Sequence, residues 1–153
     1  SAQTGKTFLA RRVEALLVAD SRHAYLLEGE NLLQGLDADL SAADPSFASE
    51  RVRRYGEVAR LLIDTGLIVV STSKTFGINY QRMAEMIRTL VQPAPVIAVH
   101  MSRAGEEPPP NTDLHFAGPQ DFDAAARQIL EELKKRGVLI QPSGTKSSIQ
   151  YSI

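Results

Sequence analysis

The chain has 153 residues, 43% of them hydrophobic and 23% charged, which is enough to bury one sizeable core, and its formal charge is -1. That near-neutral balance, with basic residues spread among acidic ones, excludes the electrostatic footprint of a nucleic-acid binder, and the absence of cysteine excludes a disulfide framework, a thiolate nucleophile and a Cys-ligated zinc site. No apolar run reaches bilayer length and no basic start leads into an apolar stretch, so a cytoplasmic protein without a membrane partner is expected.

The chain opens SAQTGKTFLARRVEALL. Gly5, Lys6 and Thr7 match the end of the phosphate-loop pattern G-x-x-x-x-G-K-[ST], whose leading glycine would fall just before Ser1. Leu9, Val13, Leu16 and Leu17 then share one face of a helix expected over residues 6–19. As a phosphate loop, this start would aim the amides of Thr4 to Thr7 at a phosphate. Lys6 would reach the β and γ oxygens, and the Thr7 hydroxyl would hold Mg²⁺. The alternative is an ordinary helix start with a solvated lysine.

The apolar run Ala24 to Leu27 reads as a buried strand that closes at Glu28. Glu30 lies just beyond it, where it could take part through a metal or accept a proton from an attacking hydroxyl. Alone, the pair of acids equally describes a solvated turn. A helix is expected from Pro45 to Asp64 on the apolar spacing of Val52, Tyr55, Val58, Ala59, Leu62 and Ile63, with Gly66 as its stop.

LIVVSTS follows as a strand buried on both faces, then a helix from Ile78 to Val91, the strand PVIAVH, a Pro-rich loop, and a short strand in TDLHF. The last helix, DFDAAARQILEELKKRG, should be capped by Asp121. Alternating strands and helices imply an α/β fold with a parallel sheet covered by helices on both faces. His23, His100 and His115 lack metal-ligand spacing and read as structural or surface residues. Arg53, Arg54 and Arg60 read as solvated or packed by their stems.

The run YLLEGENLLQGLDADL, followed by ERVRRYGEVARLLIDTGLIVV, resembles the adenylylsulfate kinase family, as do RAGE at 103–106 and PNTDLHF at 110–116. The resemblance implies a P-loop nucleoside triphosphate kinase-like fold over residues 1–140, with 141–153 as a tail. It also implies phosphoryl transfer from ATP, with Mg²⁺, to the 3′-hydroxyl of adenylylsulfate. Lys6 and Glu30 would be catalytic, Glu30 standing where the family has an aspartate. Thr4, Gly5, Lys6 and Thr7 would bind the nucleotide, Thr7 and Glu30 the metal, and Asn31, Arg51 and Thr75 the acceptor.

Several positions depart from the family's text. Leu33 and Ala48 stand at two family arginines, Ala42 at a phenylalanine, Arg51 at an asparagine, and Phe76 and Ile78 at a proline and an arginine. HMSRAGEEPPPN joins directly what the family separates by a long basic lid, leaving Arg103 as the obvious basic survivor. Three functions remain open: an adenylylsulfate kinase, a kinase for another small hydroxyl acceptor, and a non-catalytic module. A homodimer, or fusion or association with ATP sulfurylase, is also implied by the resemblance.

P-loop folds place the strand before the loop at the centre of the sheet, and SAQTGKT begins after that point. Either residues ahead of Ser1 supply it or another segment fills its place. IQYSI, residues 149–153, is the one unassigned strand candidate.

Overall fold

The computed structural model describes residues 5–72, 78–118 and 120–139, so Thr4, Thr75, Phe76 and the IQYSI segment lie outside the described residues. Four helices and four strands follow in the order α1 (Lys6–Ala19), β1 (Ala24–Glu28), α2 (Phe47–Asp64), β2 (Ile68–Thr72), α3 (Tyr80–Leu90), β3 (Val99–Ser102), β4 (Leu114–Ala117) and α4 (Phe122–Lys135). A 3-10 turn over Gly29–Leu32 follows β1 directly.

Apolar periodicity sets where each helix lies. Leu9, Val13 and Leu17 of α1 join Ile129 and Leu133 of α4 in one core cluster, whose strand members include Ile68, Met101 and Phe116. Val52, Tyr55, Ala59 and Ile63 of α2 and Ile87 of α3 form a second cluster with Leu27 and Val69. Ile68 and Val69 are adjacent in β2 yet belong to different clusters, because successive strand side chains point to opposite faces. The strands therefore lie between two helical layers, as the continuous apolar run of β2 implies. Each fully buried Leu or Val contributes about 1.5–3 kcal/mol relative to exposure.

Gly56 allows α2 its close approach to α3. A Cβ there would stand 2.6 Å from Leu90 Cδ1.

Element ends differ from the sequence reading where partners decide them. The helix expected from Pro45 begins at Phe47, after Ser46. The helix expected from Ile78 begins at Tyr80, because the Asn79 side chain accepts the Arg82 amide and fixes the cap there. Asp121 caps α4 as expected, accepting the amides of Asp123 and Ala124.

The strand expected over PVIAVH is shifted to Val99–Ser102, since pairing with β4 runs from Val99↔Leu114 to Ser102↔Ala117. Pro95 has no amide to offer a ladder, and Asp113 instead accepts the Ala98 amide at 2.6 Å.

Both pairings are parallel, β1 with β2 from Ala24↔Ile68 to Glu28↔Thr72, and β3 with β4. Among the described residues they form two separate two-stranded sheets.

Candidate functional site

Gly5 begins the site. It has φ 74° and ψ 14°, the left-handed conformation, and a Cβ on it would stand 2.4 Å from the Phe122 ring. No side chain caps α1, so the first-turn amides face outward without a protein acceptor of that kind among the described residues. Positive partial charge at a helix start favours an anion. Lys6, half-buried, lines a cleft together with Thr72, Tyr80 and His100, and Thr7, next in the chain, is exposed.

Glu30 is placed by β1 and the 3-10 turn that follows it. Tyr55 of α2 reaches beneath the strand ends: its Oη lies 3.0 Å from the Leu27 carbonyl and 3.1 Å from that of Thr72, and also contacts Ser71 Oγ. One hydroxyl thus joins the C-terminal ends of β1 and β2. Burial pushes the Tyr55 phenol up, the Ser71 bond opposes this, and the negative charges of Glu30 and Glu28 add to the rise. The sequence placed Tyr55 in the core from its spacing; nothing local announced what its hydroxyl would meet.

The proposed acceptor residues fare differently. Asn31 is exposed next to Glu30. The Arg51 Nε lies 3.4 Å from Asp37 Oδ2, with the Asp37 side chain 1% exposed and that of Arg51 12%. The guanidinium also sits 5.5 Å from the centre of the Phe47 ring. Asp37 Oδ1 is buried without a hydrogen-bond partner among the described residues. Sequence reasoning singled out Arg51 and missed Asp37, fourteen positions away and charged like many surface residues.

Arg54, expected to be solvated or packed by its stem, instead binds the loop before α2. Its Nη1 donates to the Leu36 carbonyl at 2.6 Å and to Asp39, and its Nε donates to Glu50 at 3.0 Å. Arg53 and Arg54 together hold the Glu50 carboxyl at about 2.

His23 is exposed, and the other two histidines have partners within the fold. His115 Nε2 lies 2.8 Å from Ser102 Oγ, and the His100 ring stands 5.2 Å from that of Tyr80 and 5.8 Å from that of His115. Burial pushes His100 down, and the nearby charge of Lys6 and His115 adds to that. Among the described residues no three His, Cys, Asp or Glu side chains group as metal ligands. In the short β3–β4 connection, the Arg103 amide donates to Glu106 Oε2 at 3.1 Å, and the Arg103 side chain is exposed. No described helix is long and apolar enough to cross a membrane.

Residues 1–109 match the family model for adenylylsulphate kinase. An adenylyl-sulfate kinase of Aeromonas hydrophila subsp. hydrophila is 41% identical over 87 residues, which are 57% of this chain and 42% of that protein, so the chain spans under half of that relative. The solved APS kinase CysC of Mycobacterium tuberculosis, as its Cys556Ala mutant, superposes with a TM-score of 0.72 at 26% identity, covering 88% of this chain and 92% of that one. The same enzyme in complex with AMPPNP and APS gives 0.71 at 23% identity, over 86% and 91%. The α/β arrangement described above is therefore the P-loop kinase fold.

Proposed function

The chain belongs to the adenylylsulphate kinase family, and from that premise we propose that it binds ATP at the start of α1 and directs phosphoryl transfer to the 3′-hydroxyl of adenylylsulfate. The observation that carries this reading is the left-handed, side-chain-free Gly5 leading into an uncapped helix whose first residue is Lys6. Amides there would hold the phosphates, including that of Thr4, and Lys6 would neutralise the β and γ oxygens.

Thr7 and Glu30 offer hard oxygen donors of the kind Mg²⁺ takes, and the ion when bound would offset phosphate charge. Glu30 would accept the proton of the acceptor hydroxyl as it attacks, and Asn31 would orient that acceptor. Thr75, which follows β2 in the sequence, would add a contact. A cytoplasmic setting, and a homodimer or an association with ATP sulfurylase, belong to the same reading.

One observation favours a second reading. Arg51, the replacement cation in the acceptor region, already faces the buried Asp37 carboxylate, and such a pair has less charge to offer an anionic substrate. With the short β3–β4 connection, this suits a nucleotide-binding module without kinase activity, or a kinase for a less anionic acceptor.

Calorimetry with a MgATP analogue and with adenylylsulfate, followed by coupled turnover, separates these. Lys6→Ala should weaken analogue binding by about tenfold or more, the scale of a charge-assisted contact to phosphate. Binding that Lys6→Ala leaves unchanged sinks the phosphate-loop assignment. Tight analogue binding without turnover selects the module.

A further inference from the structure

We infer that Arg54 and Tyr55, neighbours on α2, are positioning residues that fix the turn carrying Glu30 from both of its ends. The inference rests on Glu30 acting as the base for the acceptor hydroxyl, as proposed above.

The turn's own backbone bonds are local. Gly29–Leu32 is a single 3-10 turn without a side-chain cap, and such turns have poorer hydrogen-bond geometry than an α-helix. The Leu33 amide donates to the Glu30 carbonyl at 3.2 Å, and the amides of Gly35 and Asp37 donate to the Leu32 carbonyl at 3.2 Å and 2.8 Å. These bonds close the segment on itself without tying it to a helix or a strand. A base that must meet a hydroxyl within hydrogen-bond reach needs that second restraint.

Tyr55 supplies it ahead of the turn. The residue is 2% exposed, and its Oη lies 3.0 Å from the Leu27 carbonyl, two positions before Gly29. The same oxygen reaches the Thr72 carbonyl at 3.1 Å and Ser71 Oγ, so the end of β1 is held against the end of β2. A phenol both donates and accepts, which lets Ser71 donate to it while its own proton goes to a carbonyl. Glu30 and Glu28 are near enough for their charge to bear on that phenol.

Arg54 supplies it beyond the turn. Its Nη1 donates to the Leu36 carbonyl at 2.6 Å, and Nη1 and Nη2 take the two carboxylate oxygens of Asp39. A bidentate pair of this kind fixes direction as well as distance. Glu50, one turn back along α2, accepts from Nε at 3.0 Å and holds the guanidinium from the helix side.

Both anchors stand on a helix seated by Val52, Ala59 and Ile63 in the cluster that includes Leu27 and Val69. Successive helical residues point about 100° apart, so one side chain runs under the strand ends while the next reaches the loop.

The test joins amide exchange on the ligand-free chain to kinetics, in wild type, Tyr55→Phe and Arg54→Met. Relative to the α4 amides, which follow global stability, the Leu33 and Asp37 amides should lose about tenfold protection in each variant. The kcat should fall about 10- to 100-fold, the scale of a misplaced reacting group, while affinity for a MgATP analogue stays unchanged. All amides weakened alike, with kcat of the folded protein unchanged, would mean a structural role only and overturn the inference. Glu30→Gln with wild-type turnover overturns the base assignment beneath it, whereas loss of protection at Leu33 and Asp37 still establishes the two anchors. A wild type without turnover overturns the kinase reading, and exchange alone then decides: equal relative protection in all three proteins sinks the anchors. If Tyr55→Phe fails to fold, Arg54→Met carries the same readouts.

Discussion

Gly5 and Phe122 leave no room for a side chain between them: a Cβ on Gly5 would stand 2.4 Å from Phe122 Cζ and 2.7 Å from Cε1. The start of the first helix is thus fitted against the start of the last, where Phe8 and Phe122 also place their rings 5.0 Å apart.

Gly5→Ala should therefore cost stability twice over. The left-handed φ of 74° is unfavourable for alanine, and the added methyl meets an aromatic ring. A loss of about 1–3 kcal/mol is expected from the backbone alone. Urea unfolding measures it, and combining the change with Phe122→Ala should recover the clash but not the backbone penalty. An alanine variant as stable as wild type contradicts the geometry.

Tyr55→Phe should cost about 1–3 kcal/mol, because the carbonyls of Leu27 and Thr72 lose a buried donor. Its pH dependence has a defined sign. The folded phenol titrates above the unfolded value of 10.0, so its contribution is complete below pH 10 and is lost as the pH rises above it. Unfolding followed from pH 8 to 11 should show stability falling at the alkaline end in wild type, with a shallower fall in Tyr55→Phe.

Asp37→Asn removes the charge facing Arg51 while keeping the shape of the side chain. Adenylylsulfate should then bind roughly fivefold tighter, equivalent to about 1 kcal/mol for freeing the Arg51 guanidinium from a largely buried pair. Calorimetry on the two proteins measures this directly. Equal affinities would mean that Arg51 is not a substrate contact.

Asp113 joins three parts of the fold: it accepts the Ala98 amide at 2.6 Å, Arg88 of α3 at 3.0 Å and Arg136 beyond α4 at 2.9 Å. Burial pushes its carboxyl up, but the Ala98 amide and the two guanidiniums outweigh that and hold it below the usual value of 3.8. Its stabilisation is present above that value and is lost as the pH falls through the lower folded one. Asp113→Asn should cost about 1–3 kcal/mol near neutral pH and flatten the acid limb of the stability curve. Thermal melts from pH 2.5 to 7 provide the comparison.

The sequence alone determined what local pattern encodes. Three- and four-residue apolar spacing specified the four helices, because that spacing makes one buried stripe. Gly5-Lys6-Thr7 marked the start of α1, and Asp121 the cap of α4, since both act within one helical turn. Continuity of LIVVSTS revealed a strand covered on both faces.

Tertiary structure decided what depends on a distant partner. Pairing with Leu114–Ala117 moved β3 past Pro95 to Val99, and no periodicity within PVIAVHMS could select that register. The Tyr55 hydroxyl acquired its meaning from two strand ends 28 and 17 positions away. Arg51 became half of a largely buried ion pair only when the loop before α2 brought Asp37 against it.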